Sequence, residues 1–242
     1  MRVAIVIPAR MASTRFPGKP LVSLAGKPMI EWVYRASVES EVADQVVIAT
    51  PDQEIVEVCR SIGAPVELTR RDHPSGTDRI AEVAERIGAQ LYVNVQGDEP
   101  LVPPQSIRDC VRPLLEDPSV EMSTLYEDCP PEDEDNPAVV KVVATLNGDA
   151  LYFSRCSIPF PRNPRGTLKR HVGMYAYTGD VLRRFQGWAP SPLELAEGLE
   201  QLRFLENGVR IRLSKTQGRS IGVDTPEQAA EAERLLRAKM VS

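Results

Sequence analysis

The sequence predicts an α/β fold with a mostly parallel central sheet covered by helices on both faces. Three observations predict it. Up to residue 116, short β-branched apolar runs alternate with stretches of helical apolar spacing. The runs are continuous rather than alternating, as expected of strands buried on both faces. Each of three runs leads into a turn-forming group: Pro8, Thr50-Pro51-Asp52 and Gln96-Gly97-Asp98-Glu99-Pro100.

Val3 to Ile7 is the first predicted strand, and Met29 to Val38 has helical spacing. Val46 to Ala49 is the second strand, followed by a helix over Ile55 to Ile62 that ends near Gly63. Val66 to Leu68 is the third strand, with a helix over Thr77 to Ile87 stopped at Gly88. Leu91 to Val95 is the fourth, and residues 104–116 read as helix. The second half differs. Residues 127–137, EDCPPEDEDNP, are acidic and proline-rich, the composition of an exposed loop. Val139 to Thr145 and Leu151 to Ser154 flank Asn147-Gly148, a strong hairpin signal. Residues 158–166, rich in proline and arginine, read as a loop or flap, and His171 to Tyr177 as a strand. Leu193 to Asn207 is expected to be one helix stopped by Gly208, followed by a strand over Val209 to Leu213. Pro226 to Met240 is a terminal helix, capped by Thr225 or Asp224 with Glu227 in its first turn.

The 242 residues suit one α/β domain, or one domain with a sizeable insertion, and a core needing no staples. A net charge of −5 argues against a general polyanion binder, so no nucleic-acid partner is expected. Cys59, Cys110, Cys129 and Cys156 form no CxxC pair, which disfavours a structural zinc site and suits a reducing compartment. No apolar run is long enough for a membrane span. MRVAIVIPAR reads as a strand rather than a signal peptide, so the expected location is cytoplasmic.

Ligands of open parallel sheets bind beyond the carboxyl ends of the strands. Three segments sit there: 8–19, 69–79 and 96–100. The first belongs to IPARMASTRFPGKPL, residues 7–21. From Arg2 to Ile30 there are five basic residues (Arg2, Arg10, Arg15, Lys19, Lys27) and no acid. Such a loop, with Ser13, Thr14 and Gly18 among its cations, can wrap phosphate oxygens, or can be a solvated basic surface. Its place after a buried strand, and stiffening by Pro8, Pro17 and Pro20, favour phosphate. The Walker pattern is absent. In VNVQGDEP, Asp98 is a magnesium carboxylate or the polar residue of a turn. In TRRDHPSGTDR, Ser75-Gly76-Thr77 opens a helix whose first N–H groups face an anion or a base edge, or is a plain N-cap by Ser75 with Asp78 at N3. Glu200-Gln201 faces a polyhydroxy ligand or solvent, and His171 is a lone strand histidine. Asp224 is a helix cap or a second metal carboxylate.

Taken in order, IPARMASTRFPGKPL, TRRDHPSGTDR, NVQGDEPLV, NPAVVKVV, ALYFSRCSIPFPR, RHVGMYAY, SPLELAEGLEQLRFLENG and GVDTPEQ resemble the 3-deoxy-manno-octulosonate (Kdo) cytidylyltransferase family from residue 2 to about 235. Pro74 and Phe16 stand where that family commonly has glutamine and leucine. The resemblance implies a single Rossmann-like nucleotide-diphospho-sugar transferase domain over 1–242, with an inserted hairpin and dimerisation region at about 138–190. It implies Mg²⁺-dependent transfer of CMP from CTP to Kdo for lipopolysaccharide biosynthesis, by a homodimer. A cytidylyltransferase for 8-amino-Kdo or a sialic acid is the alternative. Carried over by motif, Arg10, Ser13, Arg15 and Lys19 hold the CTP phosphates. Ser75, Gly76 and Arg79 lie along the cytidine, and Asp98 and Asp224 bind Mg²⁺. Gln96, His171, Tyr175, Glu200 and Gln201 line the sugar site, with Arg155 as partner of the sugar carboxylate. Arg10, Arg15, Lys19, Asp98 and Asp224 form the implied catalytic set.

Overall fold

The structure, a computed structural model, describes residues 2–13, 15–163, 166–218 and 221–241. Thr14 of the basic loop and Pro164 and Arg165 of the flap lie outside the described residues. Packing divides the chain into two compact units, Met1–Arg108 with Gly218–Ser242, and Asp109–Gln217. The region expected as an insertion, 138–190, falls within the second.

The first unit opens with β1 (Val3–Pro8), then a short antiparallel pair, β2 (Ser23–Leu24) and β3 (Lys27–Pro28). It continues through α1 (Met29–Glu39), β4 (Gln45–Thr50), α2 (Gln53–Ser61), β5 (Val66–Leu68), α3 (Gly76–Ile87) and β6 (Leu91–Asn94). α4 (Pro104–Glu116) leads from the first unit into the second. The strands lie in the order β6-β1-β4-β5, all parallel. From β1 the chain moves outward to β4 and β5, then returns to set β6 on β1's other side. That reversal opens a crevice beyond the carboxyl ends of β1 and β6, the position at which open parallel sheets take ligands. β1 is rigid because Val3 to Ile7 are all buried, each large side chain stabilising by about 1.5–3 kcal/mol.

The second unit holds β7 (Met122–Asp128), β8 (Lys141–Ala144), β9 (Ala150–Ser154), β10 (Lys169–Thr178), α5 (Gly179–Gln186), α6 (Pro192–Glu197), α7 (Gln201–Glu206) and β11 (Ile211–Lys215). β7 pairs antiparallel with β10 and parallel with β11, while β8 joins β10 to β9. The Asn147-Gly148 hairpin forms as expected: Gly148 has φ +84° and the Thr145 N–H donates to the Asp149 carbonyl at 2.8 Å. α8 (Pro226–Val241) returns to the first unit. There Val223, Ala229, Ala232 and Leu236 cluster with Leu24, Met29 and Leu101, which anchors the segment before the helix beside the loop that follows β6.

Several sequence expectations need correction. The helix expected over Leu193 to Asn207 is two helices, because Gly198 takes φ +63° and ends α6. The loop expected from residue 127 begins later, since β7 runs to Asp128 and Pro131–Asp133 is a 3₁₀ turn. The last strand starts at Ile211 rather than Val209. β7 and α5 had no expected counterpart.

Candidate active site

The basic loop after β1 is held in shape by its own backbone. The Gly18 N–H donates to the Met11 carbonyl at 3.0 Å, with Gly18 at φ +72°, and the Phe16 N–H donates to Ser13 Oγ at 3.3 Å. Asp52, at the end of β4, fastens the loop from below. Its carboxylate accepts from the Met11 N–H at 2.7 Å and pairs with Arg71 at 3.1 Å. Sequence reasoning missed this role. Thr50-Pro51-Asp52 was visible as a strand end, but only the β1–β4 register places it under the loop.

Gly97 lies where β1 and β6 finish together. A Cβ there would meet the Pro8 carbonyl oxygen at 2.7 Å, closer than side-chain carbons sit to backbone, so this position requires glycine. The tight turn brings Asp98 to the crevice. Its carbonyl accepts from the Val223 N–H at 2.8 Å, which carries Asp224 to the same place. The two carboxylates, far apart in the chain, meet on one ammonium: Lys19 Nζ lies 2.5 Å from Asp98 Oδ2 and 2.9 Å from Asp224 Oδ1. Arg15 Nη2 stands 2.9 Å from the other oxygen of Asp224. Burial by itself would lower the Lys19 pKa. The hydrogen bonds and charges of Asp98 and Asp224 outweigh it and raise the pKa above 10.5.

The donor set fits a magnesium ion that arrives with a nucleotide. Two carboxylates lie within reach of one cation, and Mg²⁺ on nucleotides takes one or two carboxylates with phosphate oxygens and water. Among the described residues no cluster of three or more His, Cys, Asp or Glu side chains gathers to hold a metal without such help.

Ser75 caps α3: its Oγ accepts from the Asp78 N–H at 3.2 Å and its hydroxyl donates to Asp78 Oδ2 at 2.7 Å. Arg79 is 3% exposed and donates to Thr69 Oγ1 and to the Arg70 carbonyl. Burial, reinforced by the charge of Arg10, lowers its pKa. Glu82 ties the preceding loop down through His73 and the Arg70 N–H. Arg10, Ser13, Arg15, Lys19, Ser75, Gly76, Arg79, Asp98, Asp224 and Gln96 all line one cleft of about 670 Å³. Every described residue expected on the nucleotide and metal side is therefore in it, with Gln96 from the expected sugar set.

The other expected sugar-side residues belong to the second unit. His171 and Tyr175 sit on β10 with ring centroids 5.5 Å apart, across an irregularity in the β7–β10 register between Val172 and Tyr175. His171 Nε2 lies 2.9 Å from Thr124 Oγ1, whose own proton goes to the Met174 carbonyl at 2.7 Å. The imidazole is therefore the donor, in its neutral Nε2–H form. Burial pushes its pKa down to about 3. Burial also pushes the Tyr175 phenol well up, with the charge of nearby Glu200 adding to the shift. Gln201 is 4% exposed at the start of α7, and its Nε2 is buried with no hydrogen-bond partner. An unmet buried donor costs about 1–3 kcal/mol.

Arg155 directly follows β9. Its Nε, Nη1 and Nη2 donate to the carbonyls of Glu197 (2.8 Å), Pro137 (3.0 Å) and Gly198 (3.3 Å). The Glu197 carboxylate accepts from the Arg155 N–H at 3.0 Å and the Ser154 hydroxyl at 2.7 Å. Burial alone would raise the Glu197 pKa, and these donors outweigh it and hold it below the usual value.

A parallel sheet reversed at a switch point, with a stiff basic loop and paired carboxylates at its ligand edge, defines a nucleotidyltransferase. The cytidylyltransferase sequence profile matches residues 4–211. A 3-deoxy-manno-octulosonate cytidylyltransferase of Geobacter sulfurreducens is 50% identical over 239 residues, 93% of this chain and 96% of that protein. One of Pseudomonas fluorescens is 49% identical over 97% of this chain and 98% of that protein. The solved structure of a CMP:2-keto-3-deoxy-manno-octonic acid synthetase complexed with CTP matches with a TM-score of 0.96 at 38% identity, covering 99% of this chain and 100% of that one. The chain belongs to the cytidylyltransferase family, among the 3-deoxy-manno-octulosonate cytidylyltransferases.

Proposed function

We propose that this protein transfers CMP from CTP to Kdo, releasing pyrophosphate, and thereby activates Kdo for lipopolysaccharide biosynthesis. The observation that carries the reading is the meeting of Lys19, Asp98 and Asp224 under a basic loop, in a chain half identical to a 3-deoxy-manno-octulosonate cytidylyltransferase. Arg10, Ser13, Arg15 and Lys19 hold the phosphates, and Ser75, Gly76 and Arg79 lie along the cytidine. Gln96, His171, Tyr175, Glu200 and Gln201 receive the sugar acid.

The anomeric hydroxyl oxygen attacks the α-phosphorus, and the bond from that phosphorus to the bridging oxygen breaks. The electron pair leaves on pyrophosphate, where Arg15 and Lys19 neutralise the growing charge. Orientation of the two substrates supplies much of the rest. The hydroxyl proton leaves to water as the new phosphorus–oxygen bond forms. Asp98 and Asp224 would hold Mg²⁺, which when bound neutralises phosphate charge and acidifies a coordinated hydroxyl.

The protein works as a cytoplasmic homodimer. The second unit exposes Leu146, Leu151 and Leu195, apolar side chains that a second copy would cover. Four free cysteines suit a reducing compartment, and no described helix is long and apolar enough to cross a membrane.

The test is pyrophosphate release from CTP with Kdo, 8-amino-Kdo or a sialic acid, with and without Mg²⁺. Mg²⁺-dependent release with Kdo is expected. Release only with one of the other acids replaces Kdo by that acid, and release with none overturns the reading.

A further inference from the structure

We infer that Lys19 is the protein's own place-holder for a divalent cation, so that metal enters the cleft with the nucleotide and not before it. The inference rests on the proposed assignment of Asp98 and Asp224 as metal carboxylates.

Lys19 Nζ stands within hydrogen-bond distance of both carboxylates, at 2.5 and 2.9 Å. It thus occupies the space between the two carboxylates that would hold a metal ion. The charges are balanced without any ion: Asp98 and Asp224 face Lys19 and Arg15. The Lys19 side chain is 14% exposed and its partners Asp98 and Asp224 are 31% and 37% exposed, so the ammonium is the shielded member of the group. A dication arriving alone must displace the ammonium, which then exchanges two carboxylate partners for water. It would find two protein carboxylates and, among the described residues, no third acid or histidine gathered with them.

A triphosphate changes the exchange. Its oxygens offer Lys19 and Arg15 stronger acceptors than the carboxylates do, and they complete the coordination of a metal held by the vacated carboxylates. Every charged group then keeps an opposite partner. The four-carbon stem of lysine allows the swing. Its backbone stays fixed at the start of a 3₁₀ turn, behind Gly18 in its left-handed conformation.

Mn²⁺ binding to the nucleotide-free protein, read from the free-ion electron paramagnetic resonance signal, tests the inference. Lys19→Met should bind Mn²⁺ at least tenfold more tightly than wild type, and Lys19→Met/Asp224→Asn should lose that gain. A folded Lys19→Met that binds Mn²⁺ no more tightly than wild type overturns the inference. Lys19→Gln carries the same measurement should the methionine variant fail to fold. The metal assignment is read separately, by equilibrium dialysis of Mn²⁺ with CTP. Retention that weakens in both Asp98→Asn and Asp224→Asn supports the assignment. Unchanged retention overturns it, and the inference with it.

Discussion

The cleft of the first unit and the polar cluster of the second solve recognition in opposite ways. In the cleft the groups are charged, partly exposed and paired with one another: Lys19 with Asp98 and Asp224, Arg15 with Asp224. In the second unit they are neutral and half-buried, as His171 and Tyr175 are, or fixed to backbone, as Arg155 is. Charged partners can be exchanged for a ligand's charges with little loss. Neutral groups in fixed geometry cannot, so they suit a ligand recognised by its shape and hydroxyls. The first region should therefore respond most to loss of charge, and the second to loss of geometry.

Lys19→Ala offers the largest break in that comparison. Pyrophosphate release should fall on the order of 10²–10³-fold, the usual cost of one donor at developing charge, while far-ultraviolet circular dichroism stays unchanged. Near-normal turnover would remove Lys19 from the phosphate site. Next comes Gly97→Ala. The added Cβ meets backbone rather than a flexible side chain, so stability should drop by about 1–3 kcal/mol in urea unfolding. Activity should fall beyond what the unfolded fraction explains, because the turn that presents Asp98 must shift. A stable, active variant would show that the ends of β1 and β6 can part freely.

The same contrast explains what was legible in the sequence. β1, β4 and β6 read clearly because both their faces are apolar, and their ends located the cleft loops. β7 was hidden because its centre is polar: Ser123 and Thr124 are fully buried, satisfied by the carbonyls of Cys110 and Met174. The helix over Leu193 to Asn207 read as continuous because its apolar spacing persists, and only the backbone conformation at Gly198 breaks it. The candidate residues of the cleft were nameable one by one. Their meeting was not legible residue by residue, since it depends on tertiary contacts: the packing of Val223 and the last helix, and the backbone bond from Val223 to Asp98. For Arg155 the residue was legible and its partners were not, because backbone carbonyls leave no mark in sequence.

Arg155 sharpens the second half of the comparison. If it acts through geometry, Arg155→Ala should raise KM for the sugar acid about tenfold, on the order of one hydrogen bond to a charged group, with a smaller change in kcat. Arg155→Lys should not rescue, since one ammonium cannot reproduce a planar fork aimed at three carbonyls. Substantial rescue by lysine would return Arg155 to the role of a point charge for the sugar carboxylate.

The smallest effect concerns His171 and pH. Its folded pKa, about 3, lies below the ordinary 6.5, so the unfolded chain takes up a proton that the folded protein refuses. The contribution of His171 to stability is therefore intact above 6.5 and is lost progressively as pH falls toward 3. Glutamine can keep the donation to Thr124 but does not titrate. Between about pH 7 and about pH 5 the urea midpoint should thus fall further for wild type than for His171→Gln, while other groups titrate alike in both. Equal falls would mean that His171 takes up its proton in the folded state as well, and that the second unit carries a charge where the comparison requires none.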